Sequence, residues 1–163
     1  MLVLAWVAGL YLATQFFSEW EFSRLNPNLT PESQRTGEFI EVTLSGNAQG
    51  HFVAAGRING ERVTFLLDTG ATDVAVPARL AEQLGLSRGQ PQPVMTASGP
   101  STGYRTRIER LELGDIVLNG VPALLIPDFD SPVVLLGMSA LKQLEFTQRA
   151  GTMLLRQHVT EQP

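Results

Sequence analysis

The stretch TFLLDTGATDVAVP, Thr64 to Pro77, drives three large apolar residues straight into an aspartate followed by Thr-Gly. A buried strand that ends on a carboxylate normally turns outward to reach water, because an unpaired charge is costly to bury. An acid held at that point needs hydrogen-bond partners or a chemical task. The residues around Asp68 and further along the chain indicate which.

Signals of short strands surround this stretch from Phe39 onward. Asn59-Gly60 separates GHFVAAGRI from ERVTFLLD, and Asn119-Gly120 separates DIVL from VPALLIP. An Asn-Gly pair between apolar runs marks a hairpin because both residues tolerate positive φ. Pro77 to Gly85 reads as a short helix, with proline at its first position and glycine as its stop. A second short helix is expected over Met138 to Leu144, and Thr152 to Val159 reads as a strand. Many strands at spacings near ten residues, with only two small helices, predict a mainly β domain, a closed or nearly closed barrel.

Composition narrows the function classes. At 163 residues with 44% apolar content, the chain suits one domain with a substantial core. The net charge is −4, and the single lysine, Lys142, stands against eleven scattered arginines, which argues against a nucleic-acid partner. The absence of cysteine excludes disulfides, thiolate catalysis and Cys-ligated zinc. His51 and His158 have no second ligand type at metal spacing, so neither a metal nor an organic cofactor is expected.

The first residues, MLVLAWVAGLYLATQFF, carry no charge before Glu19. As a helix they reach about 25 to 27 Å, close to the thickness of a hydrocarbon core. Residues 1–20 are therefore expected to form a single transmembrane anchor, ahead of a cleaved signal peptide or a buried helix. Residues 21–38, with Pro27 and Pro31 and neither strand nor helix period, read as a linker, which leaves 39–159 as the folded domain.

Three features carry the chemistry: FLLDTGATDVAV around Asp68, the glycine- and serine-rich tip MTASGPSTGY from Met95 to Tyr104, and VVLLGMSAL beginning at Val133. In this order and at this spacing the chain resembles the retropepsin-like aspartic proteases, and most closely the small membrane-anchored bacterial ones, over about residues 50 to 157. The resemblance implies a retropepsin-like closed β-barrel and an aspartic endopeptidase acting on extended protein or peptide segments. It assigns catalysis to Asp68, Thr69 and Gly70, and substrate binding to Ala71, Ser98, Gly99, Leu136 and Gly137. Thr69 would reach across the dyad, Gly70 would let the backbone approach a second subunit, and the Ser98-Gly99 tip would close as a flap. Gly137 would let the second loop pass close beneath the Asp68 strand.

Peptide hydrolysis by water needs one group to take a proton and another to give one, and two adjacent carboxyls sharing a proton do both. The chain has one such aspartate and no internal repeat, hence half a dyad. The resemblance therefore implies a homodimer in which two copies of Asp68 meet across a two-fold axis. It also implies an inner-membrane protein with a periplasmic catalytic domain. Retroviral members carry an aspartate after Asp-Thr-Gly-Ala and an arginine after the second-loop glycine; here those positions are Thr72 and Met138, so both partners of that ion pair are missing together. The alternative from another class is a non-catalytic peptide-binding module on the same fold. Asp73, Asp115, Asp128 and Asp130 read as turn and surface acids.

Overall fold

The computed structural model describes residues 25–96 and 99–159. The expected anchor over residues 1–20 lies outside the described residues. Among the described residues no helix is long and apolar enough to cross a membrane.

The chain forms strands β1 (Glu32–Thr36), β2 (Phe39–Ser45), β3 (Val53–Ile58), β4 (Glu61–Leu67), β5 (Val74–Pro77) and β6 (Pro91–Thr96). It continues through β7 (Gly99–Leu113), β8 (Ile116–Ile126), β9 (Val134–Leu136), helix α1 (Met138–Leu141), β10 (Glu145–Arg149) and β11 (Thr152–His158). One sheet runs β3-β4-β9-β5-β8-β7-β6, and a further β3–β7 pairing closes all of its strands except β6 into a barrel. This closure pairs both sides of the six barrel strands and leaves β6 as an edge strand. A smaller sheet, β1-β2-β11-β10, packs beside it. The two are tied by Gln157 of β11, whose side-chain amide donates to the Val117 carbonyl and accepts from the Val117 N–H at 3.0 Å.

Alternation explains what fills the barrel. Along β4, Phe65 and Leu67 are buried while Thr64 and Leu66 are only partly so; β5 buries Val74 and Val76, and β9 buries Val134 and Leu136. These period-two faces meet Ile108, Leu111 and Val121 from the long β7–β8 hairpin in one continuous core.

The Asn59-Gly60 hairpin forms as expected, with φ of 50° and 89° at the two residues. Asn59 also works as a cross-brace: its amide donates to the Leu84 carbonyl at 2.8 Å and accepts from the Arg110 N–H at 3.0 Å.

Three expectations are corrected. Asn119-Gly120 is not a hairpin turn but lies inside β8, whose register against β7 runs on through Arg110↔Asn119 and Ile108↔Val121. The turn is at Gly114-Asp115, where the Leu113↔Ile116 pair closes the ladder and Gly114 takes φ of 58°. The helix expected from Pro77 to Gly85 contracts to a 3-10 turn, Ala78–Leu80, followed by further turns that bury Leu84 and Leu86 against the barrel. The helix expected from Met138 to Leu144 ends at Leu141.

Within the expected linker, residues 32–36 form β1 paired to β2, and the preceding segment docks on the domain. Asn28 stands in for a missing strand pairing. Its amide donates to the carbonyls of Ser45 (2.9 Å) and Val53 (2.7 Å) and accepts from the Ser45 N–H at 2.8 Å. Side-chain amides satisfy the backbone there, so no hydrophobic period was needed.

Candidate active site

β4 and β9 run parallel, Phe65↔Val134 to Leu67↔Leu136, and both carry apolar runs that stop at a loop. At the end of β4 the Asp68 N–H donates to the Leu136 carbonyl at 3.2 Å, so the ladder extends one residue into the carboxylate's own position. The Asp68 side chain is half-buried, and its Oδ1 accepts the Gly70 N–H at 2.8 Å. The Ala71 N–H returns to the Asp68 carbonyl at 3.2 Å and closes the turn. The acid is thus held by its own loop rather than released to solvent. A backbone N–H bond of this kind fixes the orientation of the side chain.

The second loop locks this one from beneath. After β9, the buried Gly137 passes against the carbonyls of Ala71 and Asp73, where an added Cβ would overlap backbone atoms. The Met138 N–H donates to the Ala71 carbonyl at 2.8 Å and the Ser139 N–H to the Thr72 carbonyl at 2.9 Å. At the two positions where retroviral members resembling this chain carry an ion pair, Thr72 and Met138, main-chain hydrogen bonds lace the loops together. The Ser139 hydroxyl, 3% exposed, accepts the Val74 N–H at 2.9 Å and donates to the Pro122 carbonyl at 2.7 Å, joining α1, β5 and β8.

Replacing Ser139 by alanine orphans the buried Val74 N–H. The expected result is a loss of about 2 kcal/mol and a fall in Tm of about 5 to 10 °C, measurable by thermal unfolding. An unchanged Tm would show that this hydroxyl carries none of the connection.

Above the two loops lies a cleft of roughly 680 Å³. It is lined by Asp68, Ala71, Asp73 and Ala75, by Leu124, Ile126 and Asp128 of the neighbouring β8 and the loop after it, and by Phe129 and Leu135. The hairpin of β6 and β7 covers it, paired from Pro91↔Tyr104 out to Thr96↔Gly99, and contributes Val94 and the highly exposed Met95. Gly99 takes φ of 113°, a conformation suited to glycine at a tight tip. At the base of this hairpin the Gly89 N–H donates to the Arg105 carbonyl and the Arg105 N–H to the Gln90 carbonyl, while the Arg88 guanidinium lies 3.4 Å above the Tyr104 ring.

Of the residues read from the sequence, Asp68, Gly70 and Ala71 come together on the cleft, while Thr69 is exposed and does not line it. Gly99 sits at the hairpin tip, Gly137 under the loop, and neither lines the cleft. Ser98 lies outside the described residues. The side chain of Leu136 is 1% exposed in the core, and Leu135, one residue earlier on the opposite face of β9, lines the cleft. Asp73 and Asp128, read as turn and surface acids, both line it. Both lie in loops just outside strands, Asp73 before β5 and Asp128 after β8, so no strand period in the sequence marked them. Among the described residues no group of His, Cys, Asp and Glu is arranged to hold a metal ion.

A barrel closed around two interlocked loops, with Asp-Thr-Gly on the first and a buried glycine on the second, defines a retropepsin-like fold. The family described as "gag-polyprotein putative aspartyl protease" matches residues 54–143, more than half of the chain, and the chain belongs to this retropepsin-like aspartic protease family. An uncharacterized protein encoded in the cobV 5′ region of Sinorhizobium sp. is 31% identical over 111 residues, covering 66% of this chain and 48% of that protein. An uncharacterized protein of Rickettsia prowazekii (strain Madrid E) is 24% identical over 136 residues, covering 82% of this chain and 58% of its own length. The chain thus spans about half the length of the curated relatives it matches. The crystal structure of a retropepsin-like aspartic protease from Rickettsia conorii shares the fold, with a TM-score of 0.63 and 22% identity over 80% of this chain and 97% of that one.

Proposed function

We propose that the chain is an aspartic endopeptidase that hydrolyses peptide bonds in extended protein segments, working as a homodimer in which two Asp68 carboxyls meet. The observation that carries this reading is the presentation of Asp68: a carboxylate fixed by the Gly70 N–H at 2.8 Å, at the edge of an apolar cleft, with Thr69 and Gly70 exposed where a second copy would complete the site. The family membership supports the same reading.

In such a dimer the two carboxyls share one proton, because like charges that close do not both ionise readily. The ionised one takes a proton from water, whose oxygen attacks the peptide carbonyl carbon. The protonated one donates to the carbonyl oxygen. Collapse of the tetrahedral adduct breaks the C–N bond, and the amine leaves with a proton returned from the dyad. The substrate lies extended beneath the β6–β7 hairpin, pairs with it through main-chain bonds, and places alternate side chains in the apolar cleft. Residues 1–20 serve as a membrane anchor with the domain on the periplasmic side, and anchoring raises the effective concentration of subunits for pairing. Extraction of the full chain from membranes by detergent but not by alkaline carbonate checks the anchor.

The direct test is to incubate the purified full-length chain with a diverse peptide mixture over a range of pH and sequence the products. Cleavage is expected, with a bell-shaped pH dependence, since the pair works only with one carboxyl charged and one neutral. A strict monomer that yields no product at any pH but still binds extended peptides overturns the enzyme reading in favour of a peptide-binding module.

A further inference from the structure

The segment between β8 and β9, residues 127–133, supplies Asp128 and Phe129 to the cleft yet belongs to no strand. Its internal bonds are long: the Phe129 N–H reaches the Ile126 carbonyl at 3.4 Å and the Val133 N–H the Ser131 hydroxyl at 3.3 Å. Bonds at these distances hold a backbone weakly. Its shape is set from outside, at two points. On the side of the covering hairpin, the Ser101 hydroxyl of β7 donates to the Asp128 carboxylate at 2.8 Å. On the barrel side, the Arg79 guanidinium, carried on the 3-10 turn that follows β5, donates to the Ser131 carbonyl at 2.6 Å and to the Phe129 carbonyl at 3.4 Å.

We infer that Arg79 is a positioning residue that fixes the Phe129 wall of the cleft and so determines how tightly a bound peptide's side chain is held there. The inference rests on the reading of the cleft as a peptide groove. Arginine suits the task because its planar fork reaches two carbonyls at once and stays charged at every relevant pH. Arg79 also lies 3.4 Å from the Asp130 carboxylate, but that carboxylate is fully exposed, so screening leaves the ion pair little influence. The short contact to the Ser131 carbonyl, 2.6 Å, is what positions the segment that carries the wall, and the 3.4 Å contact to Phe129 adds little. The turn that carries Arg79 is itself anchored, since β5 pairs with β8 and β9 inside the barrel.

The test compares Arg79→Ala, Arg79→Lys and Asp130→Asn in the full-length chain, using one peptide identified from the digest above. For Arg79→Ala, KM rises about tenfold while kcat stays within about twofold, as expected when ground-state holding rather than chemistry is lost. The Phe129 and Val133 amides exchange faster with deuterated solvent, and barrel amides are unchanged. Arg79→Lys, with one point charge and no fork, falls between Arg79→Ala and the native chain. Asp130→Asn matches the native chain in both readouts. An effect confined to kcat, an unchanged KM, or an Asp130→Asn variant as impaired as Arg79→Ala overturns the inference. If the native chain cleaves nothing, the enzyme reading fails. The exchange rates at Phe129 and Val133 then decide alone whether Arg79 holds the wall, and unchanged rates overturn it.

Discussion

The Asp68→Asn substitution is expected to abolish peptide cleavage, lowering kcat by at least about a thousandfold, the scale of losing a positioned acid–base group. The fold should survive. The substituted amide keeps an Oδ1 of the same reach to accept the Gly70 N–H, a bond that the native carboxylate makes at 2.8 Å, and the main-chain bond from residue 68 to the Leu136 carbonyl is untouched. An asparagine side chain cannot take a proton from water at any working pH, so the loss is chemical. A Tm within about 2 °C of the native value alongside the lost activity separates the two effects. Mixing the variant with the native chain extends the test to the dimer. If both Asp68 side chains are needed, random pairing of equal amounts leaves about a quarter of the pairs competent, whereas an independent monomer would retain half of its activity. Cleavage by the variant at the native rate would sink the assignment of Asp68.

The loop around Asp68 was legible because its chemistry is local. Asp68, Gly70 and Ala71 bond within a few residues of one another, and an apolar run into Asp-Thr-Gly leaves little choice about where the strand ends. The Asn59-Gly60 hairpin was legible for the same reason. What stayed hidden depends on parity or on distant partners. A second Asn-Gly pair sits inside β8 because β7 and β8 remain in register past it, and that ladder is set by the pairing of Tyr104 to Leu113 rather than by the dipeptide. Leu135 and Leu136 are alike in composition, and only the pairing of β9 with β4 decides which one faces the core. The polar stretch before β2 gave no period because Asn28 satisfies the backbone of Ser45 and Val53 by side chain. Asp73 and Asp128 become cleft residues only when β5 and β8 lie side by side, as the parallel pairing Val74↔Ala123 places them.

Alanine at position 137 is the second large effect. Gly137 has φ of −86° and ψ of −174°, an extended conformation open to any residue, so backbone strain does not explain why glycine stands there. The reason is contact. A Cβ at this position would overlap the Asp73 carbonyl oxygen, lie 2.7 Å from its carbon, and lie 2.8 Å from the Ala71 carbonyl oxygen. These are main-chain atoms, so no rotamer change relieves the overlap. They are also held in place: Ala71 accepts the Met138 N–H at 2.8 Å, Thr72 accepts the Ser139 N–H at 2.9 Å, and Asp68 donates to Leu136 at 3.2 Å. A single methyl group therefore has to separate the two loops and break at least one of these bonds. Overpacking together with an orphaned buried group costs about 3 kcal/mol or more, expected as a fall in Tm of about 10 °C. Activity should fall further than stability alone requires. At temperatures where the variant is still folded, the proposed dyad predicts a drop in kcat, because the Asp68 loop would no longer sit where a second carboxyl could share its proton, and a misplacement of about 1 Å is enough for a hundredfold loss. A Gly137→Ala protein with native Tm and native kcat would mean that the two loops are not in contact, and with that the bracing of Asp68 from beneath would be lost as an explanation.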